Sequence, residues 1–152
     1  DKLGGAIGFD GENIEGVDIA IPVYNFSETH YKSAGSVSLS YRLALFRVTG
    51  TVNSSSFKGF AAGEVLFLGA SGSRRGDDAD DDWEITYKFA AQQNRTGISV
   101  GEISGISKKG WEYLWVQYAP EVDTDHSQIV KKPVAVYIEK VYPDGNFGDL
   151  NI

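Results

Sequence analysis

The segment WEITYKFAA, residues 83–91, constrains the fold more than any other: Trp83, Ile85, Tyr87 and Phe89 alternate with Glu84, Thr86 and Lys88. A period of two puts four large apolar side chains on one face of a β-strand and polar ones on the other, so the chain must supply a second surface to cover the apolar face. EVLFL, residues 64–68, reads as the partner strand, and GASGSRRGDDADDD between them reads as a long polar hairpin loop. GWEYLWVQYA and KPVAVYIEKVY form a second expected pair, joined by the polar PEVDTDHSQIVKK. A polar spacer, NRTGISVGEISGISKKG, separates the two pairs, and VDIAIPVYNF, with Val17, Ile19, Ile21 and Val23 in alternation, reads as a first strand.

One segment breaks the β pattern. In SVSLSYRLALFRVTG, Val37, Tyr41, Ala44, Leu45 and Val48 recur at helical spacing, whereas a strand would put Phe46 opposite the apolar set and Arg47 among it. Ser36 or Ser38 can cap the start and Gly50 the end, which predicts one helix around residues 36–49. The expectation is therefore a mainly β fold, a β-sandwich or partly rolled barrel, with that one helix packed on it. Residues 1–16 read as a Gly-rich lead-in and residues 17–152 as a single domain, long enough to bury a core without disulfides or metals.

Charge and composition remove several functions. A net charge of -7 repels phosphate backbones, which excludes nucleic-acid binding through clustered cations. The chain has no Cys, hence no thiolate chemistry, and no Met even at position 1, which suggests a portion of a longer chain. Its longest apolar run, VLFLGA, falls far below the ~20 residues of a membrane-spanning helix. The opening DKLGGAIGFDGENIEG lacks the basic flank and apolar centre of a signal peptide.

The charged loop invites four readings. Asp78, Asp80 and Asp82 have the spacing of the first three ligands of a calcium loop, but Trp83 and Phe89 stand where that loop needs Gly and Glu. Counted from Gly69, Arg74 and Arg75 occupy the glycine and lysine positions of a phosphate loop, and a strand rather than a helix follows. Arg75, Gly76 and Asp77 spell the RGD tripeptide, a match too short to carry weight beside so many aspartates. What remains is a solvated hairpin tip, with Arg74, Arg75, Asp77, Asp78, Asp80, Asp81 and Asp82 as a candidate assembly or lumen loop.

Catalytic signals are thin. His30 and His126 are the only histidines, beside Glu28 and Asp125, and GASGS lacks the spacing of a nucleophile elbow. Neither an enzyme nor a cofactor is expected. Asn25, Asn53 and Asn94 begin N-x-[ST] sequons, which are common by chance. Trp111, Tyr113 and Trp115, with Tyr118, could form an aromatic carbohydrate platform, although the plainer reading is one packed face of a strand.

The run FKGFAAGEVLFLGASGSRRG, followed by DDWEITYKFAAQQNRTGISVGEISGISKKGWEYLWVQY, resembles structural proteins of tailed bacteriophages and prophages. Their pattern is a glycine-led strand ending in LGA, a polar loop, and a W-x-[IV]-[TS]-[YF]-x-F strand, here from about Gly5 to Ile152. Tail-tube and baseplate-hub domains share the order of strands, one helix and a long hairpin. The resemblance implies a virion protein assembled in the host cytoplasm, acting through interfaces with copies of itself or other virion proteins, and a C-terminal portion of a longer one. A head decoration or connector protein and a β-sandwich adhesin or carbohydrate-binding module are the alternatives. DDADDD swells the loop beyond the family pattern, which puts in doubt any contact that a shorter loop would make.

Overall fold

The computed structural model describes residues 22–123 and 128–152. It is mainly β with one α-helix, as the alternation patterns predict. The sequence predicts one domain over residues 17–152. The contacts of the chain gather in two compact units, one containing Pro22–Gln93 and Tyr142–Ile152, the other Asn94–Val141.

The first unit is a five-stranded sheet, ordered β1 (Tyr24–Lys32), β4 (Trp83–Ala91), β3 (Val65–Arg74), β2 (Val52–Asn53) and β9 (Asp144–Gly145). β1, β4, β3 and β2 run antiparallel to their neighbours, and β9 lies parallel to β2. The alternation of β4 holds: Ile85, Tyr87 and Phe89 are buried while Glu84 and Lys88 are exposed. The buried face packs against Tyr41, Leu45 and Val48 of α1 (Leu39–Val48), and against Phe57, Phe147 and Leu150. Phe26, Phe60, Phe67 and Phe89 extend this core as a chain of ring contacts with centroids 5.0–5.4 Å apart.

The helix starts later than the expected 36–49. A short 3-10 turn takes Ala34–Ser36, and Ser38, whose Oγ accepts from the Tyr41 N–H at 3.2 Å, is the cap that begins α1. Gly50 follows the helix with φ of 81°, a left-handed conformation that glycine adopts at no steric cost. Its N–H turns to the Phe67 carbonyl at 2.8 Å, which ties the helix end to β3.

Three strand expectations change. The first strand begins at Tyr24, so Tyr24, Asn25 and Phe26 of VDIAIPVYNF lie in it, Val23 precedes it and is exposed, and Val17, Ile19 and Ile21 lie outside the described residues. β3 does not stop at Leu68. It bulges between Phe67 and Gly69, continues to Arg74 and stays paired with β4, because the ladder compensates for the weak β propensity of Gly, Ala and Ser. The supposed spacer 94–110 contains a hairpin of its own.

That hairpin, β5 (Arg95–Val100) and β6 (Ile103–Lys108), belongs to the second unit. With it goes the expected pair, β7 (Glu112–Asp123) and β8 (Gln128–Lys140), whose ladder runs from Glu112↔Lys140 to Asp123↔Gln128, into the polar stretch expected only to join the two strands. Twelve residues of β7 at ~3.4 Å each make a hairpin arm ~40 Å long. Ile106, Leu114 and Val116 form its small buried cluster, with Ile98, Val100, Ile103, Tyr118 and Val136 packed on it.

Candidate functional site

The charged loop is the tip of the β3–β4 hairpin, and it is tighter than the sequence suggests. Arg74 belongs to β3, opposite Trp83, and the Arg75 N–H donates to the Asp82 carbonyl at 2.8 Å. The free loop is thus residues 75–82. Two of its aspartates hold its own backbone: Asp78 Oδ1 accepts from the Asp80 N–H at 3.0 Å, and Asp81 Oδ2 accepts from the Asp78 N–H at 2.9 Å. Gly76 lies so close to the Asp81 carboxylate that a Cβ there would collide with it.

Neither arginine reaches out as a ligand-binding arm. Arg75 lies over the Tyr31 ring at 4.6 Å, while Arg74 and Arg42 lie over Trp83 at 6.0 and 5.0 Å. The arginine of the RGD tripeptide is therefore stacked on a neighbouring strand. Asp77, Asp78, Asp80 and Asp82 are exposed and Asp81 is half-buried. Among the described residues, no group of three or more His, Asp or Glu side chains could hold a metal ion.

The other sequence candidates fall in different places. His30 Nε2 lies 3.0 Å from Glu28 Oε1, which also takes Lys58 Nζ at 3.1 Å. Burial works to raise the Glu28 pKa, but the hydrogen bonds and charges of His30 and Lys58 outweigh it and hold the carboxyl below its ordinary value. His126 lies outside the described residues. Asn53 is buried, its amide donating to Ser55 and Ala61 carbonyls and accepting from the Val65 N–H, so that sequon cannot carry a glycan in the folded chain. Asn94 accepts from the Gly110 N–H at 2.7 Å, and Asn25 is exposed on β1.

Trp111, Tyr113 and Trp115 do not stand out as an open shelf. Trp111 precedes β7, Trp111 and Tyr113 are half-buried, and Trp115 is buried, its ring stacked on Tyr137 with centroids 4.4 Å apart. Its indole N–H has no hydrogen-bond partner among the described residues.

A groove on the first unit carries no signal in the sequence analysis. Ala70 and Gly72 face the same side of the sheet as Tyr87 and Ile85, their cross-strand partners, and their small size leaves a groove beside α1. Its volume is about 550 Å³, walled by Arg42, Leu45, Phe46 and Leu68 and floored by residues 69–72, Trp83 and Ile85. Along it, the β3 edge away from β4 has no strand partner among the described residues. The Phe67 N–H and carbonyl face β2, with bonds to Thr51 and Gly50 of 3.0 and 2.8 Å, and the Arg75 N–H faces β4. Strand alternation across the bulge then turns the backbone groups of Ala70, Gly72 and Arg74 away from β4, where β2, two residues long, offers no partner.

An exposed apolar row continues this surface. Leu39, Leu43 and Phe46 lie on the helix face opposite the core stripe, at 71%, 42% and 78% exposure, with Leu68 at 50% beside them. A helical projection of residues 39–48 already separates the two apolar stripes, which is the signal that could have found the surface. Comparison with known protein families, curated proteins and solved structures finds no match for this chain.

Proposed function

We propose that the chain is a structural module of a tailed-phage or prophage virion, of the tail-tube or baseplate-hub kind, that joins copies of itself or neighbouring virion proteins. One observation carries this reading: a sheet edge with no partner among the described residues, beside an exposed row of Leu39, Leu43, Phe46 and Leu68 at 42–78% exposure. Such an edge is a template for another strand, and solvent-facing leucine and phenylalanine in a contiguous row mark a surface built to be covered. β1 closes the opposite side of the sheet and likewise has no outer partner among the described residues, so head-to-tail contacts can repeat from copy to copy. The long β7–β8 arm, with Ile129, Val134 and Tyr137 exposed, offers a further apolar surface of the same kind.

In a closed ring the acidic loop of residues 75–82 serves as a lumen wall, repelling DNA phosphates so that a genome slides past. A lumen lined instead by basic residues, with the loop turned outward, would sink that part of the proposal. A carbohydrate-binding role is less well supported, because Trp115 is buried and stacked on Tyr137. Negative-stain microscopy of the concentrated chain tests the assembly reading. Rings or tubes are the expected result, and dispersed monomers at every concentration would refute self-assembly.

A further inference from the structure

We infer that the groove and the open β3 edge are the acceptor for a strand donated by a second copy, and that the donor is the segment Val17 to Ile21 of that copy. This rests on the assembly reading above and names the contact that would carry it. The acceptor has two halves. Ala70, Gly72 and Arg74 present backbone donors and acceptors along the edge, and the groove beside them is floored by small residues and walled by Leu45, Phe46 and Leu68. A strand laid there needs apolar side chains on one face, at every second position.

VDIAI supplies them: Val17, Ile19 and Ile21 share one strand face, with Asp18 and Ala20 on the other. Charge points the same way. Asp10, Glu12, Glu15 and Asp18 make residues 10–21 purely acidic, while Arg42 lines the groove and Arg74 lies over the ring of its Trp83. β1, with Phe26, Glu28, His30 and Lys32 on its core-facing side, would bring three polar side chains into the same groove and fits it less well.

Chain reach decides between self-occupancy and exchange. Ala70 pairs with Tyr87, which pairs with Glu28, so the acceptor lies four residues along the sheet from Tyr24. A strand beyond β3 stands three strand spacings from β1, about 14 Å, and four residues along it add about 13 Å, a separation of roughly 19 Å. Five residues from Ile19 to Tyr24 span at most ~18 Å when fully extended, even on a straight line through the sheet. A donor centred on Ala70 must therefore come from another copy. Because it leads into β1, at the edge opposite the acceptor, each copy gives on one side and receives on the other, the arrangement that builds rings or filaments.

The test uses a fluorescent peptide of residues 11–23, GENIEGVDIAIPV, titrated into the full chain carrying Ile19→Asp and Ile21→Asp, which disables its own donor. Saturable binding is expected. Ile19→Asp in the peptide should weaken it at least about tenfold, since it removes a buried apolar side chain. Ala70→Pro in the acceptor should weaken it about tenfold, by deleting an edge N–H that β4 does not use. No binding, or binding indifferent to Ile19→Asp in the unfolded peptide, overturns the inference whatever Ala70→Pro does to folding. Light scattering of the unaltered chain separates the two levels. Assemblies that form while the peptide fails to bind leave the assembly reading standing and reject this donor. Specific peptide binding to a chain that stays monomeric would overturn both the assembly reading and donation between copies, whatever the groove's affinity for the peptide.

Discussion

Tyr41→Phe offers the sharpest test of what fastens the helix and the C-terminal segment to the sheet. The Tyr41 hydroxyl donates to the Leu150 carbonyl at 2.6 Å and accepts from the Tyr87 hydroxyl, and Tyr87 and Leu150 are fully buried. Removing the Tyr41 oxygen leaves two buried polar groups without this partner, at ~1–3 kcal/mol each, so the variant loses ~2–6 kcal/mol. Tyr87→Phe removes one neutral hydrogen bond and leaves Tyr41 on Leu150, for about 1 kcal/mol. The double variant orphans only the Leu150 carbonyl and should be more stable than Tyr41→Phe alone. Urea denaturation of all four proteins, read as a double-mutant cycle, measures this ordering. A Tyr41→Phe variant no less stable than Tyr87→Phe would refute the relay. The pair also sets an alkaline limit. Burial raises the pKa of both hydroxyls, and the bond to Tyr41 raises that of Tyr87 further. The folded state therefore keeps protons that the unfolded chain releases near pH 10. Stability should be flat below that pH and fall above it by about 1.4 kcal/mol per pH unit for each tyrosine, a slope that the double variant lacks.

Two further substitutions probe the supports of the sheet. Asn53→Ala removes a buried amide that serves the Ser55 and Ala61 carbonyls and the Val65 N–H, and should cost ~3 kcal/mol or more by chemical denaturation. Gly145→Ala pushes a Cβ into the Thr51 side chain, where β9 meets β2, and should cost ~1–3 kcal/mol in the same assay, through displacement of the last strand.

Much of the fold was legible because it is written in local periodicity. β4 spans the nine residues that the alternation predicts, since one face is buried in the core and the other carries the exposed Glu84 and Lys88, with only Ala90 of that face buried. The β7–β8 pair was visible for the same reason. What escaped was set by partners rather than by residue type. Residues 69–74 are small and polar, yet they form strand because β4 holds them in register. β5 and β6 alternate weakly, and their Ile98, Val100, Ile103 and Ile106 find a face only once β7 is present. The loop aspartates were read correctly as a hairpin tip, but Asp78 and Asp81 capping its backbone depends on turn geometry. The groove was invisible because its defining property is the absence of side-chain bulk at Ala70 and Gly72 beside Phe46.

The most direct test of the central claim, that this chain works through the surface around Phe46 and the β3 edge, is its mass by light scattering over a concentration series, alongside Phe46→Asp. Phe46 is 78% exposed, so the substitution leaves the core intact and puts a charge in the middle of the apolar row. The account predicts that the unaltered chain grows to a defined multiple of its monomer mass while Phe46→Asp stays monomeric with unchanged circular dichroism. A monomer at every concentration, or equal assembly of both proteins, would contradict it.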